Sequence, residues 1–192
     1  NLLSCYTGLL ALMNADRDLS CMLICTDHEE VGSKSFPGAD GDFVEKVLRR
    51  ITPDVNINSR LIANSMMVST DNAHAVHPNF VGKHDHLHKP QMNKGLVVKT
   101  NANQRYASSS ETQSIFKAIC LKEGLPMQYY NHRNDLPCGS TIGPMSAAKL
   151  GIRTLDIGVP TLGMHSIREL AGSQDAYSMY LALTAFCDTQ DL

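Results

Sequence analysis

Carboxylate and imidazole side chains follow three predicted strands at the points where those strands end. Glu29 and Glu30 come after the first strand, Asp71 after the second and His165 after the last. In α/β sheets, sites gather beyond the carboxyl ends of the strands, so these four side chains are expected on one rim. A zinc ion there would lower the pKa of a water molecule to about 7, and a nearby carboxylate could accept its proton during attack on a peptide carbonyl. The residue types are therefore those that metal-assisted hydrolysis of a peptide bond would require.

The adjacent pair Glu29 and Glu30 is informative because neighbouring side chains on extended backbone point to opposite sides. One carboxylate could then ligate a metal while the other reaches a bound water. The alternative is that the pair lies in solvent, as glutamate pairs in loops commonly do. Position alone leaves both interpretations open.

A second group of candidate ligands lies in one polar stretch that follows the second predicted strand. It contains five histidines within fifteen residues: His74, His77, His84, His86 and His88. Imidazole suits zinc, but these spacings do not form the H-E-x-x-H helix signature, and no cysteine pairs accompany them. A separate zinc site is one hypothesis for this stretch. The other is that some of the histidines line a substrate pocket while the rest lie in solvent.

Basic side chains that face the acidic rim could bind a substrate carboxylate. The candidates are Lys94, Lys99 and Arg105, of which an arginine would bind as a bidentate fork and a lysine as a point charge. A lysine in solvent is the alternative interpretation. The glycine-rich turn 138–144 could expose backbone N–H groups to an anion, which is a weak signal alone. No G-x-S-x-G elbow, P-loop or G-x-G-x-x-G motif points to another catalytic class.

Helices and short apolar strands alternate along the chain and must position these side chains. The predicted helices are 2–14, 43–51, 111–123, a short one that ends at 150, and 166–187, and the predicted strands are 19–26, 65–70, 95–100, 127–130 and 153–157. This alternation predicts an α/β protein with a largely parallel or mixed sheet that helices cover on both faces.

Composition excludes several classes of partner. With 192 residues, 43% hydrophobic and 19% charged, the chain can form one compact domain with a substantial core. A net charge of -2 and a pI near 6.5 leave no basic excess for nucleic acid or an anionic membrane surface, so neither is an expected partner. Six cysteines without a C-x-x-C pair are expected to be reduced thiols, which predicts a cytoplasmic location.

Five segments of the chain, taken together, resemble the aspartyl aminopeptidase family. They are D-H-E-E-V-G-S (27–33), S-T-D-N-A-H-A-V-H-P-N-F (69–80), N-Q-R-Y-A (103–107), N-D-L-P-C-G-S-T-I-G-P (134–144) and D-I-G-V-P-T-L-G-M-H-S-I-R-E (156–169). The resemblance implies a cytosolic metallopeptidase with two zinc ions that removes amino-terminal Asp or Glu from peptides. It also implies a three-layer α/β/α sandwich with a mixed, largely parallel sheet, an inserted dimerisation domain and a homo-oligomer, commonly a dodecamer.

The resemblance also implies roles for single residues. By motif, Glu29 is the general base that activates the water, and Glu30, Asp71 and His165 are zinc ligands. The same comparison makes four residues candidates for substrate binding: Lys99, Tyr106, His74 and His77. Lys99 suits the acidic side chain of the substrate.

Some parts of the family pattern have no counterpart among residues 1–192. The family's first metal histidine, in an H-x-D segment, and the aspartate that bridges both metals would precede Asn1, as would the inserted dimerisation domain. The chain is therefore expected to be the carboxyl-terminal part of the catalytic domain, with weak metal binding and little activity alone. The alternatives are a non-catalytic fragment that acts only as an interaction module and a related dinuclear aminopeptidase for neutral or basic residues.

Overall fold

Six α-helices alternate with seven strands in residues 1–16 and 18–190, the part of the chain that the computed structural model describes. The helices are α1 (Leu2–Asn14), α2 (Phe43–Ile51), α3 (Val55–Ala63), α4 (Ser110–Lys122), α5 (Ile142–Leu150) and α6 (Ser173–Cys187). The strands are β1 (Met66–Thr70), β2 (Ala73–His74), β3 (Leu96–Thr100), β4 (Met127–Asn131), β5 (Arg153–Gly158), β6 (Pro160–Leu162) and β7 (Leu170–Ala171). Two short 3-10 helices, Glu29–Val31 and Pro78–Lys83, lie in the loops.

The main sheet has four strands in the order β1-β5-β3-β4. β1 runs parallel to β5, and β3 runs parallel to β4, whereas β5 and β3 are antiparallel. In the β1–β5 pair, Thr70 lies opposite Ile157. β1 and β5 therefore end at the same edge of the sheet, which brings the loop at Asp71 beside the residues that follow β5. The predicted mixed, largely parallel sheet is confirmed.

Helices cover both faces of this sheet. On one face, apolar side chains of α1, α4 and α6 form one buried cluster with Leu96 and Val98 of β3. On the other face, α5 begins directly against β5, where a Cβ atom on Gly143 would lie 2.2 Å from Oδ2 of Asp156. This arrangement of layers confirms the predicted α/β/α sandwich.

β3 is a predicted strand that forms with both faces covered. Leu96, Val97 and Val98 all have 0% of their surface exposed, so both faces of β3 need apolar residues and the strand appears in the sequence as a continuous apolar run. α4 begins at a capping box in which Ser109 and Thr112 bond reciprocally, and α5 ends at Gly151, whose φ is 66°. These local signals explain why the predicted bounds agree closely with the structure.

The predicted strand 19–26 does not form. The segment carries no strand assignment, and no other strand in the described part of the chain pairs with it. Leu19 and Met22 are 36% and 47% exposed, so the apolar run is not enclosed. An apolar run becomes a strand only where a neighbouring strand supplies its hydrogen bonds, which the run itself does not indicate.

The predicted helix 166–187 begins later than expected, at Ser173 in α6. Residues before it form β6 and β7, which join β2 in a small three-stranded sheet. Asp175 fixes the start of the helix, because its carboxylate accepts the backbone N–H of Asn93 at 2.5 Å and that of Gly95 at 2.7 Å. Because these hydrogen bonds join residues far apart in the chain, no local sequence pattern predicts them.

Helix α3 was absent from the sequence prediction. Asp54 caps it by accepting the backbone N–H groups of Asn56 and Ile57. The Pro53-Asp54 pair is a recognisable start signal, but the asparagines and serine that follow have low helix propensity. Within the described residues, no helix has both the length and the apolar character required to cross a bilayer.

Candidate metal and substrate site

A cavity of about 200 Å³ lies where β1 and β5 end. It is lined by seven of the eight site residues that the sequence and the family resemblance singled out: Glu29, Glu30, Asp71, His74, Lys99, Tyr106 and His165. The predicted convergence of the strand-end residues therefore agrees with the structure, and we refer to this space as the site cavity.

Lys99 is the buried cation of the site cavity. It is only 2% exposed, and its Nζ donates to the carbonyl oxygen of Asp71 at 2.9 Å, with longer contacts of 3.4 Å to Asp71 Oδ2 and to the carbonyl oxygen of Asn72. Nζ also lies 5.2 Å from the centre of the Tyr106 ring. Lys99 is thus not a solvated lysine, whereas Lys94 and Arg105 are exposed and do not line the cavity.

Glu30 and His165 meet at the mouth of the cavity. Oε2 of Glu30 lies 2.8 Å from Nε2 of His165, and these side chains are 55% and 68% exposed. Such an exposed pair contributes little to stability. His165 has a φ of 68°, an unfavourable conformation for a residue other than glycine, and its backbone N–H donates to Glu169 Oε1 at 2.9 Å.

The geometry of Glu29 and Glu30 differs from the expectation. The two residues lie in the 3-10 helix Glu29–Val31 between His28 and Gly32, whose φ values are 60° and 101°. The sequence argument assumed extended backbone, in which neighbouring side chains alternate. A tight turn here brings both carboxylates to the same cavity.

The pKa of Glu29 is raised above its ordinary value. Burial of the carboxyl group is the largest cause, and the negative charges of Asp71 and Glu30 add to it, while Lys99 and His165 act in the opposite direction. A carboxylate with a raised pKa accepts a proton more readily at neutral pH. Glu29 therefore has the chemistry expected of a general base.

Tyr106 and His74 form part of the cavity wall, and His77 does not. Tyr106 is 7% exposed, and burial raises the pKa of its hydroxyl, which therefore keeps its proton. The ring centre of His74 lies 6.4 Å from that of Tyr130. His77 instead caps the 3-10 helix Pro78–Lys83, where its Nδ1 accepts the backbone N–H of Asn79 at 3.1 Å.

The donor set of the cavity fits zinc in kind but not in number. Glu30 and His165 offer one oxygen and one nitrogen ligand, both of which zinc accepts, and Asp71 lies beside them on the same wall. Across residues 1–16 and 18–190, however, no group of three or more His, Cys, Asp or Glu side chains is arranged to hold a metal. The five histidines between residues 74 and 88 lie within these ranges, and no three of them are arranged for a separate zinc site.

Comparison with known proteins decides the family. A family model described as Aminopeptidase I zinc metalloprotease (M18) matches residues 1–187. The chain belongs to the M18 family of zinc metalloproteases. The sequence-based resemblance is thereby confirmed at the level of the family.

Curated M18 relatives are longer than this chain. It is 55% identical to a probable M18 family aminopeptidase 2 of Stutzerimonas stutzeri (strain A1501) and to one of Pseudomonas entomophila (strain L48). In each comparison, 192 residues align, which is 100% of this chain and 45% of the relative. The chain thus spans less than half the length of these M18 aminopeptidases.

Solved M18 structures have the same fold. An M18 aminopeptidase from Thermotoga maritima superposes with a TM-score of 0.90 at 27% identity, covering 100% of this chain and 45% of that one. Ape4, in its complex with Nbr1, gives a TM-score of 0.94 at 39% identity and covers 98% of this chain and 38% of that one. The α/β/α sandwich is therefore the M18 fold.

Sequence reasoning missed several residues that shape the M18 site. Tyr130 and His132 line the site cavity from outside the five segments that carry the family resemblance, whereas Met164 and Glu169 line it from within the segment 156–169. Asp156 supports the cavity from behind, since it is fully buried and its carboxylate accepts hydrogen bonds from two side-chain hydroxyls and a backbone N–H. An aspartate in the middle of the apolar run T-L-D-I-G was the available signal for it, because buried acids require dedicated partners.

Replacing Glu29 by Gln should stabilise the chain at neutral pH when metal has been removed by a chelator. A raised folded-state pKa means that the folded chain holds the proton more tightly. Wild-type stability is therefore full below the unfolded value of about 4.3 and decreases as the pH rises through the folded value. The glutamine cannot ionise, so its advantage should be absent at about pH 4 and present at about pH 7.

Urea unfolding midpoints at these two pH values measure the effect. Glu123→Gln is the matched control, because Glu123 is exposed at the end of α4 and does not line the site cavity. Equal midpoints for Glu29→Gln and the wild type at both pH values would contradict the raised pKa.

Proposed function

We propose that this chain is the carboxyl-terminal part of the catalytic domain of an aspartyl aminopeptidase, which removes amino-terminal Asp or Glu from peptides in the cytoplasm. The observation that carries the proposal is the position of Lys99. Its ammonium group lies in the same cavity of about 200 Å³ as Glu29, Glu30 and His165, so a lysine cation stands beside carboxylate and imidazole side chains. A cation enclosed beside the reacting groups favours a substrate with a carboxylate near its scissile bond.

In this proposal the acidic residues and His165 bind zinc or transfer protons. Zinc held by Glu30, Asp71 and His165, together with ligands from the longer protein, would acidify water and polarise the peptide carbonyl. Glu29 accepts the proton of the attacking water and delivers it to the departing amine, for which its raised pKa is suited.

In this proposal, Lys99 selects the substrate. Its shortest bond is to the Asp71 carbonyl oxygen, at 2.9 Å, and its two contacts of 3.4 Å are those that a substrate carboxylate would replace. The hydroxyl of Tyr106 and the ring of His74 stand on the same wall and border the bound residue.

The ligands that the chain lacks would come from the part of the protein that precedes it. Asn1 itself lines the site cavity, and its Nδ2 donates to the carbonyl oxygen of Thr70 at 2.8 Å. A residue just before Asn1 would therefore enter at the cavity wall, where the bridging aspartate of the family is expected. A dimerisation domain in the preceding part and assembly into a homo-oligomer complete the proposal, and a solved M18 relative, mApe1, is a dodecamer.

Metal content and selectivity test this function together. The chain and a version extended at its amino terminus are analysed for zinc by elemental analysis and assayed with Asp- and Ala-derived chromogenic substrates. We expect two zinc ions and Asp-selective cleavage only in the extended form, because the described residues of the chain bring together too few donors. A metal-free, inactive extended form would instead identify a non-catalytic module, and equal or faster cleavage of the Ala substrate would identify a peptidase for neutral residues.

Replacing Lys99 by Glu in the extended enzyme should abolish the preference for acidic substrates. The substitution places a negative charge where the substrate carboxylate binds, and truncating one partner of a buried charge pair typically costs about 2–5 kcal/mol, or at least roughly 30-fold in kcat/KM. Steady-state kinetics with the Asp and Ala substrates measure the ratio. Lys94→Glu is the control, since Lys94 is exposed outside the cavity. An unchanged Asp/Ala ratio in Lys99→Glu would contradict the assignment.

A further inference from the structure

A second and larger cavity adjoins the site cavity. Its volume is about 890 Å³, and its wall is formed by residues 81–89, by the end of β3 and by the segment that follows β4. We refer to it as the histidine cavity, because His84, His86, His88 and His132 line it. None of the site residues proposed above belongs to its lining.

The two cavities share one wall. His132 lines both of them. At the ends of β3 and β4, one residue lines the site cavity and the next residue lines the histidine cavity. Lys99 and Tyr130 line the site cavity, whereas the next residues, Thr100 and Asn131, line the histidine cavity. His132 therefore belongs to the boundary between the two cavities, which places them next to each other.

The sizes of the cavities suit different parts of a peptide. Small-molecule and peptide sites commonly occupy about 300–1,000 Å³. The site cavity, at about 200 Å³, is below that range and suits one side chain, while the histidine cavity, at about 890 Å³, is near its upper end. A peptide longer than one residue needs the additional space.

The lining offers hydrogen-bonding groups without protein partners. Nδ1 of His84 and Nε2 of His132 are buried and unpartnered among the described residues. An imidazole nitrogen donates or accepts according to its tautomer, and buried polar groups of this kind are normally satisfied by a ligand or water. The amide side chains of Asn134 and Gln113 add both donors and acceptors to the same wall. Such a surface is complementary to the N–H and C=O groups of a peptide backbone.

One lysine of the histidine cavity has no ion-pair partner among the described residues. Both acids of the wall are paired, Asp85 with His88 at 2.6 Å and Asp135 with Arg133. Lys89 also lines the cavity, is half-buried, and takes part in no ion pair with the described residues. Its ammonium is therefore available to a ligand in the cavity.

We infer that the histidine cavity binds the peptide residues that follow the scissile bond, and that Lys89 selects peptides with a carboxylate there. The inference rests on the proposed aminopeptidase function and extends it to the second and third residues of the substrate. The carboxylate can be the free terminus of a short peptide or the side chain of an Asp or Glu. Lys89 binds both sources through the same contact.

Kinetics of the extended protein test the inference with four substrates. They are a single-residue Asp chromogenic substrate, Asp-Ala-Ala with a free terminus, the same tripeptide amidated, and amidated Asp-Ala-Glu. Lys89→Ala should raise the KM of the two carboxylate-bearing peptides about fivefold, the upper range for a partly exposed ion pair, and leave their kcat unchanged. The chromogenic substrate and the amidated Asp-Ala-Ala should be unaffected. Lys122→Ala, an exposed lysine outside the cavity, is the matched control.

A second variant tests whether peptides occupy the histidine cavity. Ala102 lines the histidine cavity and is exposed, so Ala102→Trp should fill the cavity without disturbing the core. It should weaken binding of all three peptides and leave the chromogenic substrate unaffected. Ala118→Trp, at an exposed position of α4 outside the cavity, is its control.

Isothermal titration calorimetry of the same tripeptides, with the metal chelated, separates this inference from the proposed function. If the protein hydrolyses no substrate but binds carboxylate-bearing tripeptides in a Lys89-dependent manner, the inference holds and the proposed function fails. If the chromogenic substrate is hydrolysed while Lys89→Ala and Ala102→Trp leave peptide KM and Kd unchanged, the inference is overturned. A free terminus that responds to Lys89→Ala when the Glu side chain does not identifies the terminus as the group that Lys89 binds.

Discussion

The site depends on one buried contact, in which the ammonium of Lys99 meets the Asp71 carbonyl oxygen at 2.9 Å. A cation that is 2% exposed must keep its partners, because removing one partner of a buried charge pair costs about 3–5 kcal/mol. The contact ties the loop after β1 to β3, although β5 lies between these two strands in the sheet. Tyr106 covers the ammonium from the other side. Asp71 and Tyr106 are thereby held at the cavity before any ligand binds.

A buried anion supports the same wall from behind. The carboxylate of Asp156 accepts hydrogen bonds from the hydroxyls of Ser69 and Thr141, each at 2.7 Å, and from the backbone N–H of Ala107 at 2.6 Å. These bonds join β5 to β1, to the start of α5 and to the loop that carries Tyr106. Gly143 is required beside it, because a Cβ atom there would lie 2.2 Å from the carboxylate. Rigid support of this kind keeps reacting groups in place, which is the usual requirement of an active site.

The sequence predicted those parts of the fold and the site that depend on local pattern. The apolar run of β3 and the acid that follows β1 are both local, and both predictions agree with the structure. Local pattern could not decide whether 19–26 forms a strand, because a strand needs hydrogen bonds from a neighbouring strand that its own residues do not specify. Local pattern also did not predict how Glu29 and Glu30 reach one cavity, because they lie in a 3-10 turn between residues with positive φ. The buried state of Lys99 depends on contacts with residues 28 positions away, so composition left it open.

The proposed function requires Glu30 and His165 to hold zinc in the site cavity, and anomalous diffraction at the zinc absorption edge would locate the metal. Crystals of the protein extended at its amino terminus would be grown with zinc and the metal positions located. We expect a zinc ion within bonding distance, about 2.0–2.2 Å, of a Glu30 oxygen and a His165 nitrogen. Zinc bound only among His84, His86 and His88, with none beside Glu30 and His165, would contradict it.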